Sequence, residues 1–452
     1  MSTDLRKFPN LKAELQSGKR TLAVYGIGFV GTAIATVWLR AGAKVVAVDP
    51  DHSILEAISR GQSPTGEPMS RQAFTKGIRE NRLTSTSDGD WASRNSQILI
   101  VSVPVGFSHG RPDFGPLDLV AKSIASGLKK RDVVIMTPTV PVGTSDRVIS
   151  KLESKSGLRV ERDFYYVYSP ERISYGRAVA DIEENYPAII SGAGPKSLSI
   201  GNTLYSIISS KGTIEMSSTK AAEMEKLLEG VYRDVNIALA NEFQFVCKEV
   251  GVDFWEVRQA ANSQPNSRIH KAGIGVGGFC IPIYPQMLIR MGKEHGVQTK
   301  LTRLARVINL GMPKETAMLV VSLLKRKKSK IIGSKVAILG LAFRGDVPDR
   351  RLSPTYDLVR ELAKSKMEIA VHDPFFETDL SLGKGVKFSN AMGEILNSAD
   401  VVIIATDHSE YKKLNGERIR KLSMKEPIVF DGRGILSPGS FSGMVFARLG
   451  SP

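Results

Sequence analysis

A strand, a glycine turn, a helix, a second strand and an acid follow one another within residues 21–49, and few folds accommodate that order. The run 21–25 (TLAVY) is rich in strand formers and passes straight into Gly26, Ile27, Gly28, Phe29, Val30 and Gly31. Ala33, Ile34, Val37 and Trp38 then recur at helical spacing. The run 44–49 (KVVAVD) is a second strand ending in Asp49. Such a unit predicts a parallel βαβ sheet with a dinucleotide at its carboxyl edge. Gly26 makes the tight turn, Gly28 lets a pyrophosphate approach, and Gly31 lets the helix pack on the strand. The helix start offers unpaired N–H groups and partial positive charge to the phosphates. Asp49 lies 18 residues past Gly31, placed to hold a ribose diol and repel a 2′-phosphate. NAD is therefore expected rather than NADP.

Later runs extend the sheet. Residues 97–103 (QILIVSV) and 132–136 (DVVIM) are apolar in the manner of strands buried on both faces. The second passes into 137–143 (TPTVPVG). Ligands bind where loops leave the carboxyl ends of such strands, so Thr139 is expected to contact cofactor or substrate. Residues 163–169 (DFYYVYS) read as a strand followed by Pro170, Glu171, Arg172 and Ile173. A carboxylate there can order a water, and a guanidinium can take a phosphate or a sugar acyl group. Residues 187–192 and 213–216 read as closing strands.

At 452 residues the chain is too long for one ordinary core. The expected class is α/β: two Rossmann-like, doubly wound parallel-sheet domains joined by a long central helical region. Boundaries are expected at 1–215, 216–312, a linker at 313–330, and 331–452. The net charge of +16 comes from scattered basic residues without interleaved aromatics, so no nucleic-acid partner is expected. No run approaches the ~18 apolar residues of a membrane span, and no membrane partner is expected. Residues 1–20 are polar, without the apolar core of a signal peptide. Two cysteines make no disulfide framework, which points to a reducing cytoplasm. No metal site is expected.

The middle of the chain carries the reactive groups. From 219 to 250 there is no proline and one glycine, Gly230, and apolar residues recur at helical spacing. A helix near thirty residues can span two domains or build a dimer core. Lys226, Gly230 and Arg233 fall on one face of it. A half-buried Lys226 beside a thiol could stabilise an oxyanion or move a proton. Cys247 reads as core. Cys280 follows Gly275, Gly277 and Gly278 and precedes Pro282 and Pro285. A thiol in such a turn, ahead of a helix expected to open near Pro285, is placed for reaction. Residues 333–343 repeat the strand and turn with Gly340 and Gly345 only, so this second unit need not bind a dinucleotide. Arg344, Asp346, Asp349, Arg350 and Arg351 crowd its first turn, a pattern that suits a diphosphate.

These pieces in this order resemble the UDP-glucose/GDP-mannose dehydrogenase family over nearly the whole chain after residue 20. The resemblance rests on GIGFVG at 26–31, TVPVG at 139–143, SPER at 169–172, Lys226 with RDVN at 233–236, GVGGFC at 275–280, GLAF at 340–343, RLSP at 351–354, and Asp373 with Pro374. The Pro-Glu-Arg form is similar to the branch acting on UDP-N-acetylhexosamines, such as UDP-N-acetylmannosamine or UDP-N-acetylglucosamine 6-dehydrogenase. The resemblance implies NAD-dependent oxidation of a sugar C6 alcohol to a carboxylate, in two hydride transfers. It implies Cys280 as nucleophile, Lys226 as oxyanion stabiliser or proton shuttle, and Glu171 and Thr139 as groups that position water or substrate. It implies sugar or diphosphate contacts from Arg172, Ile173, Arg233, Arg268 and Gly277, and closure over the nucleotide by Phe343, Arg344 and Arg351. A homodimer built on the long helix is implied as well. UDP-glucose or GDP-mannose as substrate, a single-oxidation enzyme, and a non-catalytic binding homologue are the alternatives. Four positions depart from the usual family pattern: Tyr284 stands for an Asp, Gly230 for an Asn, Val105 for a Thr and Asn266 for an Arg.

Overall fold

The computed structural model describes residues 10–65, 67–108 and 110–452. The reading of 1–20 thus falls partly outside the described residues, although Leu11–Gln16 is a short helix. The chain divides into two compact units, one up to Leu228 and one from Glu229 onward.

In the first unit eight strands form one sheet. Their spatial order is Thr213–Glu215, Ala188–Gly192, Tyr165–Tyr168, Val133–Met136, Ile98–Val101, Thr21–Tyr25, Lys44–Val48 and Leu83–Thr86. Neighbours pair in parallel except Tyr165–Tyr168 with Ala188–Gly192. The strand Thr21–Tyr25 lies between the strands that follow it on either side, so the order reverses at its carboxyl end. Ligands of open α/β sheets bind at such a reversal. The apolar sequence runs explain the burial: Ile98–Val101 and Val133–Met136 are buried at every position.

The second unit repeats the plan with six parallel strands. Their order is Lys387–Ser389, Glu368–His372, Lys335–Leu339, Val401–Ile404, Ile428–Asp431 and Phe446–Arg448. The expected α/β class with two such sheets is what the structure contains. The helix Thr219–Glu249 runs 31 residues, and the division between the units falls inside it. Cys247 is half-buried on the core of the second unit rather than fully inside it.

Two expectations are corrected. The stretch 313–330 is not a linker as far as Arg326, because Lys300–Arg326 is one helix. Pro313 inside it forfeits only one backbone bond, and Lys325 and Arg326 sit in the last turn of the helix, where cations are favourable. Likewise the helix after the glycine turn opens at Cys280, not near Pro285. The first four N–H groups of a helix have no intrahelical acceptor, so Pro282 costs nothing there. Among the described residues Lys300–Arg326 is the one helix long and apolar enough to cross a membrane by length and composition. Its buried face carries Arg306 and Asn309, and Met312, Ala317, Val320 and Leu324 join the core of the second unit.

Candidate active site

In the first unit the glycine turn sits at the order reversal. Gly26 has φ +89°, and a Cβ there would lie 2.9 Å from Val103. A Cβ on Gly31 would lie 1.8 Å from the Gly26 carbonyl, so that position takes glycine alone. Gly28 differs: a Cβ would meet nothing within 4 Å, and the turn is open there. The helix Phe29–Arg40 starts at once, its N-cap Gly28 bringing no side-chain cap. Ile27 is buried and Val30 half-buried. Asp49 is buried, and its carboxylate accepts the Ile27 N–H at 2.7 Å and the Asp51 N–H at 3.0 Å. Ser102 Oγ, at the end of the neighbouring strand, is buried with no hydrogen-bond partner.

Two further loops leave the same edge. The Phe29 ring stacks on Tyr175 at 3.9 Å, so the loop after Tyr165–Tyr168 reaches the glycine turn. The turn holding Thr139 is pinned on both sides. Tyr168 donates its hydroxyl to the Pro138 carbonyl at 3.1 Å. The Gly143 and Ser145 N–H groups donate to Glu223 at 2.6 and 2.7 Å. Thr139 is half-buried between these anchors. The Glu171 carboxyl is pushed up to about 7 by burial, with the Lys226 and Arg172 charges pulling it back. Lys226 is itself buried, 8% exposed, where a solvated lysine is the commoner case. Arg172 donates to the Pro187 carbonyl and lies over the Tyr186 ring at 5.4 Å, so part of its fork is taken by the fold. Ile173 packs against the core.

In the second unit Cys280 is exposed at the first position of the helix Cys280–Glu294. The glycines before it serve packing. A Cβ on Gly275 would lie 2.7 Å from Pro354, and one on Gly277 would lie 2.7 Å from Phe343 and 2.8 Å from the Leu352 carbonyl. Gly278 has φ +87°, a Cβ there would lie 2.9 Å from the Phe343 ring, and its N–H donates to the Arg351 carbonyl at 2.9 Å. The Arg351 guanidinium lies over the Phe279 ring at 5.4 Å and is held by Asp349. So the loop 343–354 closes on the cysteine turn, bringing Phe343 and Arg351 to it. Arg344 is exposed. Arg233 is exposed and pairs with Glu229 at 3.3 Å. One turn on, Asn236 donates to the Arg268 carbonyl and accepts the His270 N–H, both at 2.8 Å, which holds the segment of exposed Arg268 to the long helix.

Residues 20–209 match the NAD binding domain of the UDP-glucose/GDP-mannose dehydrogenase family, 220–310 its central domain and 337–438 its UDP binding domain. The chain belongs to that family. It is 33% identical to a UDP-N-acetyl-D-mannosamine dehydrogenase of Pyrococcus horikoshii, over 95% of this chain and 99% of that one. It is 31% identical to a UDP-N-acetyl-D-glucosamine 6-dehydrogenase of Pseudomonas aeruginosa, over 92% and 97%. The solved UDP-D-ManNAc dehydrogenase of P. horikoshii superposes with TM-score 0.87 at 31% identity, covering 95% and 99%. The cofactor of this dehydrogenase is NAD, and the residues fit it. The turn is open at Gly28, a hydroxyl at Ser102 is left without a partner, and a buried carboxylate closes the second strand.

The sequence reading missed several residues. Glu223 ties the Thr139 turn and was hidden as one acid among many on a long helix. Asp234 is buried, paired with Arg306 at 2.7 Å and bonded by Asn309. Asn241 accepts the Gly273 N–H and donates to Asn309, both at 2.9 Å. Only the helical phase of 234 and 241, facing inward, could have signalled this network.

Proposed function

We propose that this chain is an NAD-dependent 6-dehydrogenase of a UDP-N-acetylhexosamine, oxidising the C6 alcohol to the uronic acid. The observation that carries the reading is the exposed Cys280 turn, closed upon by Phe343 and Arg351 of the UDP binding domain. The two relatives described above carry names of that substrate class, which supports the N-acetyl sugar over UDP-glucose.

Bound NAD supplies the hydride acceptor, two equivalents per sugar. Loss of a hydride from C6 and of the proton from its hydroxyl gives the aldehyde. The Cys280 thiolate adds to that carbonyl, and protonation of the oxygen gives a thiohemiacetal. An aldehyde has no second hydride to give until a nucleophile has added. Loss of the second hydride and the hydroxyl proton gives a thioester. Water then adds, the thiolate leaves, and the carboxylate is released. Lys226 stabilises the oxyanion or moves its proton. Glu171 and Thr139 position water and substrate. Gly277, Phe343, Arg344 and Arg351 hold the nucleotide, with Arg172, Ile173, Arg233 and Arg268 toward sugar and diphosphate. A uronic acid product of this kind suits polysaccharide biosynthesis.

The partner is a second copy of the chain. Leu228, Tyr232, Leu239 and Val246 are exposed along Thr219–Glu249, and Leu301, Leu304, Val307 and Leu310 along Lys300–Arg326, which supports apolar pairing of these helices.

The test counts NADH released per sugar, from a panel of UDP- and GDP-sugars, with wild type and Cys280→Ser. Two NADH per UDP-N-acetylhexosamine, lost in the variant, is expected. One per sugar would leave a single-oxidation enzyme. Sugar binding without NADH would leave a binding protein.

A further inference from the structure

The turn that carries Cys280 is weakly held by its own backbone. The N-cap Phe279 brings no side-chain cap, and Pro282 and Pro285 have no N–H to donate. The Ile281 carbonyl therefore receives no helical bond from position 285. The Gly278 N–H bond to the Arg351 carbonyl holds its entry, and its buried side, where Ile283 and Tyr284 are each 6% exposed, holds the rest.

Tyr284 is packed against an absence. A Cβ at Gly230 would lie 2.3 Å from Tyr284 Cδ2, 3.2 Å from Cε2 and 3.3 Å from Cγ. Turning the ring about its own axis moves Cδ2 and Cε2 but leaves Cγ, one bond from the tyrosine Cβ, in tight contact at 3.3 Å. A new χ1 or a small shift of the helix is needed to free the position fully. Gly230 is the one glycine in Thr219–Glu249, and a mid-helix glycine weakens a helix. Its presence there is explained by the ring it admits. Tyr284 is four residues from Cys280, one helical turn on the same face. The ring thus sets the height and rotation of the turn that presents the thiol.

We infer that Gly230 and Tyr284 are one linked pair that positions the Cys280 thiol, a packed ring and its socket standing where the family often has an amide and a carboxylate. Each departure from the family pattern is the condition for the other. Tyr284 is a positioning residue that acts through Cys280, and the pair rests on the reading of Cys280 as nucleophile.

The test compares Gly230→Ala, Tyr284→Phe, Tyr284→Ala and the double variant Gly230→Ala/Tyr284→Ala. For each, the rate of Cys280 alkylation by iodoacetamide is followed by peptide mass spectrometry, which separates it from Cys247. Melting temperature, kcat and KM for NAD are measured alongside. Gly230→Ala is expected to lower Tm, change the alkylation rate severalfold, and lower kcat about 10- to 100-fold through a misplaced nucleophile, with KM for NAD unchanged. Tyr284→Phe keeps the ring and is expected to retain most of the Tm, alkylation rate and kcat that Tyr284→Ala loses. The double variant is expected to melt above Gly230→Ala, because the clash is gone, while its thiol stays misplaced. A Gly230→Ala protein with wild-type alkylation, Tm and kcat would overturn the inference. So would a double variant whose losses are the sum of the single ones, or a Tyr284→Phe protein as impaired as Tyr284→Ala. The alkylation arms need no substrate, so a wild type that releases no NADH overturns the proposed reaction without deciding the linkage.

Discussion

Asp49 accepts the backbone N–H of Ile27 at 2.7 Å, tying the end of the second strand to the glycine turn. The second unit uses the same device, with Asp373 accepting the Leu341 and Ala342 N–H groups at 2.8 and 2.7 Å. The surroundings differ. Gly28 opens to free space, whereas a Cβ on Gly340 would lie 2.3 Å from Thr406 and one on Gly345 2.2 Å from the Asp407 carbonyl. His408 also presses on Asp373, with Nε2 at 3.2 Å. One turn is open and its counterpart is packed by its own chain.

Replacing the two aspartates should therefore have different effects. Asp49→Ala is expected to weaken NAD binding on the order of tenfold, the value of a charge-assisted hydrogen bond, and to narrow the preference over NADP. Asp373→Asn is expected to lower the melting temperature and leave NAD affinity unchanged. Calorimetric titration with each cofactor, beside a thermal melt, separates the two. An Asp49→Ala protein with wild-type NAD affinity would remove Asp49 from the cofactor site.

Glu171 should show in the pH profile. Burial raises its carboxyl to about 7, so its ionised fraction grows as pH rises through 7. If the carboxylate orders the attacking water, turnover is expected to climb between about pH 6 and 8 and then level. Glu171→Gln is expected to flatten that rise and lower the plateau about 100-fold. Stability moves the opposite way. The raised value means that the fold prefers the protonated acid. Its contribution is full below the ordinary carboxylate range and is lost as pH rises from there through 7. Glu171→Gln should thus melt higher than wild type at pH 8 and level with it near pH 4.

Strands at the centre of each sheet were legible in the sequence because they are apolar on both faces; residues 98–101 and 133–136 could be little else. The short edge strands Leu83–Thr86, Lys387–Ser389 and Phe446–Arg448 carry no such mark, since one edge and part of a face meet solvent. Pro285 misled because proline reads as a helix boundary, whereas the turn before it can open a helix whose first donors are unused anyway. Gly230 and Tyr284 were visible as departures, but their contact joins positions 54 residues apart and no local pattern links them. The packing use of Gly277 was hidden for the same reason: the atoms that exclude a side chain belong to Phe343, Leu352 and Pro354.

Glu223 offers a stability prediction. Its carboxylate holds two donors, the half-buried Gly143 and the buried Ser145 N–H groups, at the start of Thr144–Ser156. Glu223→Ala leaves both without a partner, at about 1–3 kcal/mol each. A melting temperature lower by roughly 5–10 °C is expected. Because the Thr139 turn is the element released, turnover should fall more than the loss of folded protein explains. A variant melting within a degree of wild type would show that water replaces the carboxylate at no cost.

Arg306 and Asp234 make the strictest test of the second unit. They pair at 2.7 Å with side chains 8% and 0% exposed. Asn309 adds a 2.9 Å bond to the same carboxylate oxygen, and through Asn241 the network reaches the Gly273 backbone ahead of the cysteine turn. Burial raises the Asp234 carboxyl despite the Arg306 charge. Arg306→Met removes the charge that pulls it down and leaves a carboxylate in the interior, at a cost of about 3–5 kcal/mol near neutral pH. A protonated acid needs no counter-charge. The loss should therefore shrink as pH falls toward the raised titration of Asp234 and grow as pH rises above it. Removing both charges with Arg306→Met and Asp234→Asn should recover much of the loss at pH 8, since no buried charge then remains. Melting curves of wild type, single and double variants at pH 5 and pH 8 decide it. If Arg306→Met is equally damaged at both pH values, the cost is lost packing of the arginine stem rather than an uncompensated carboxylate.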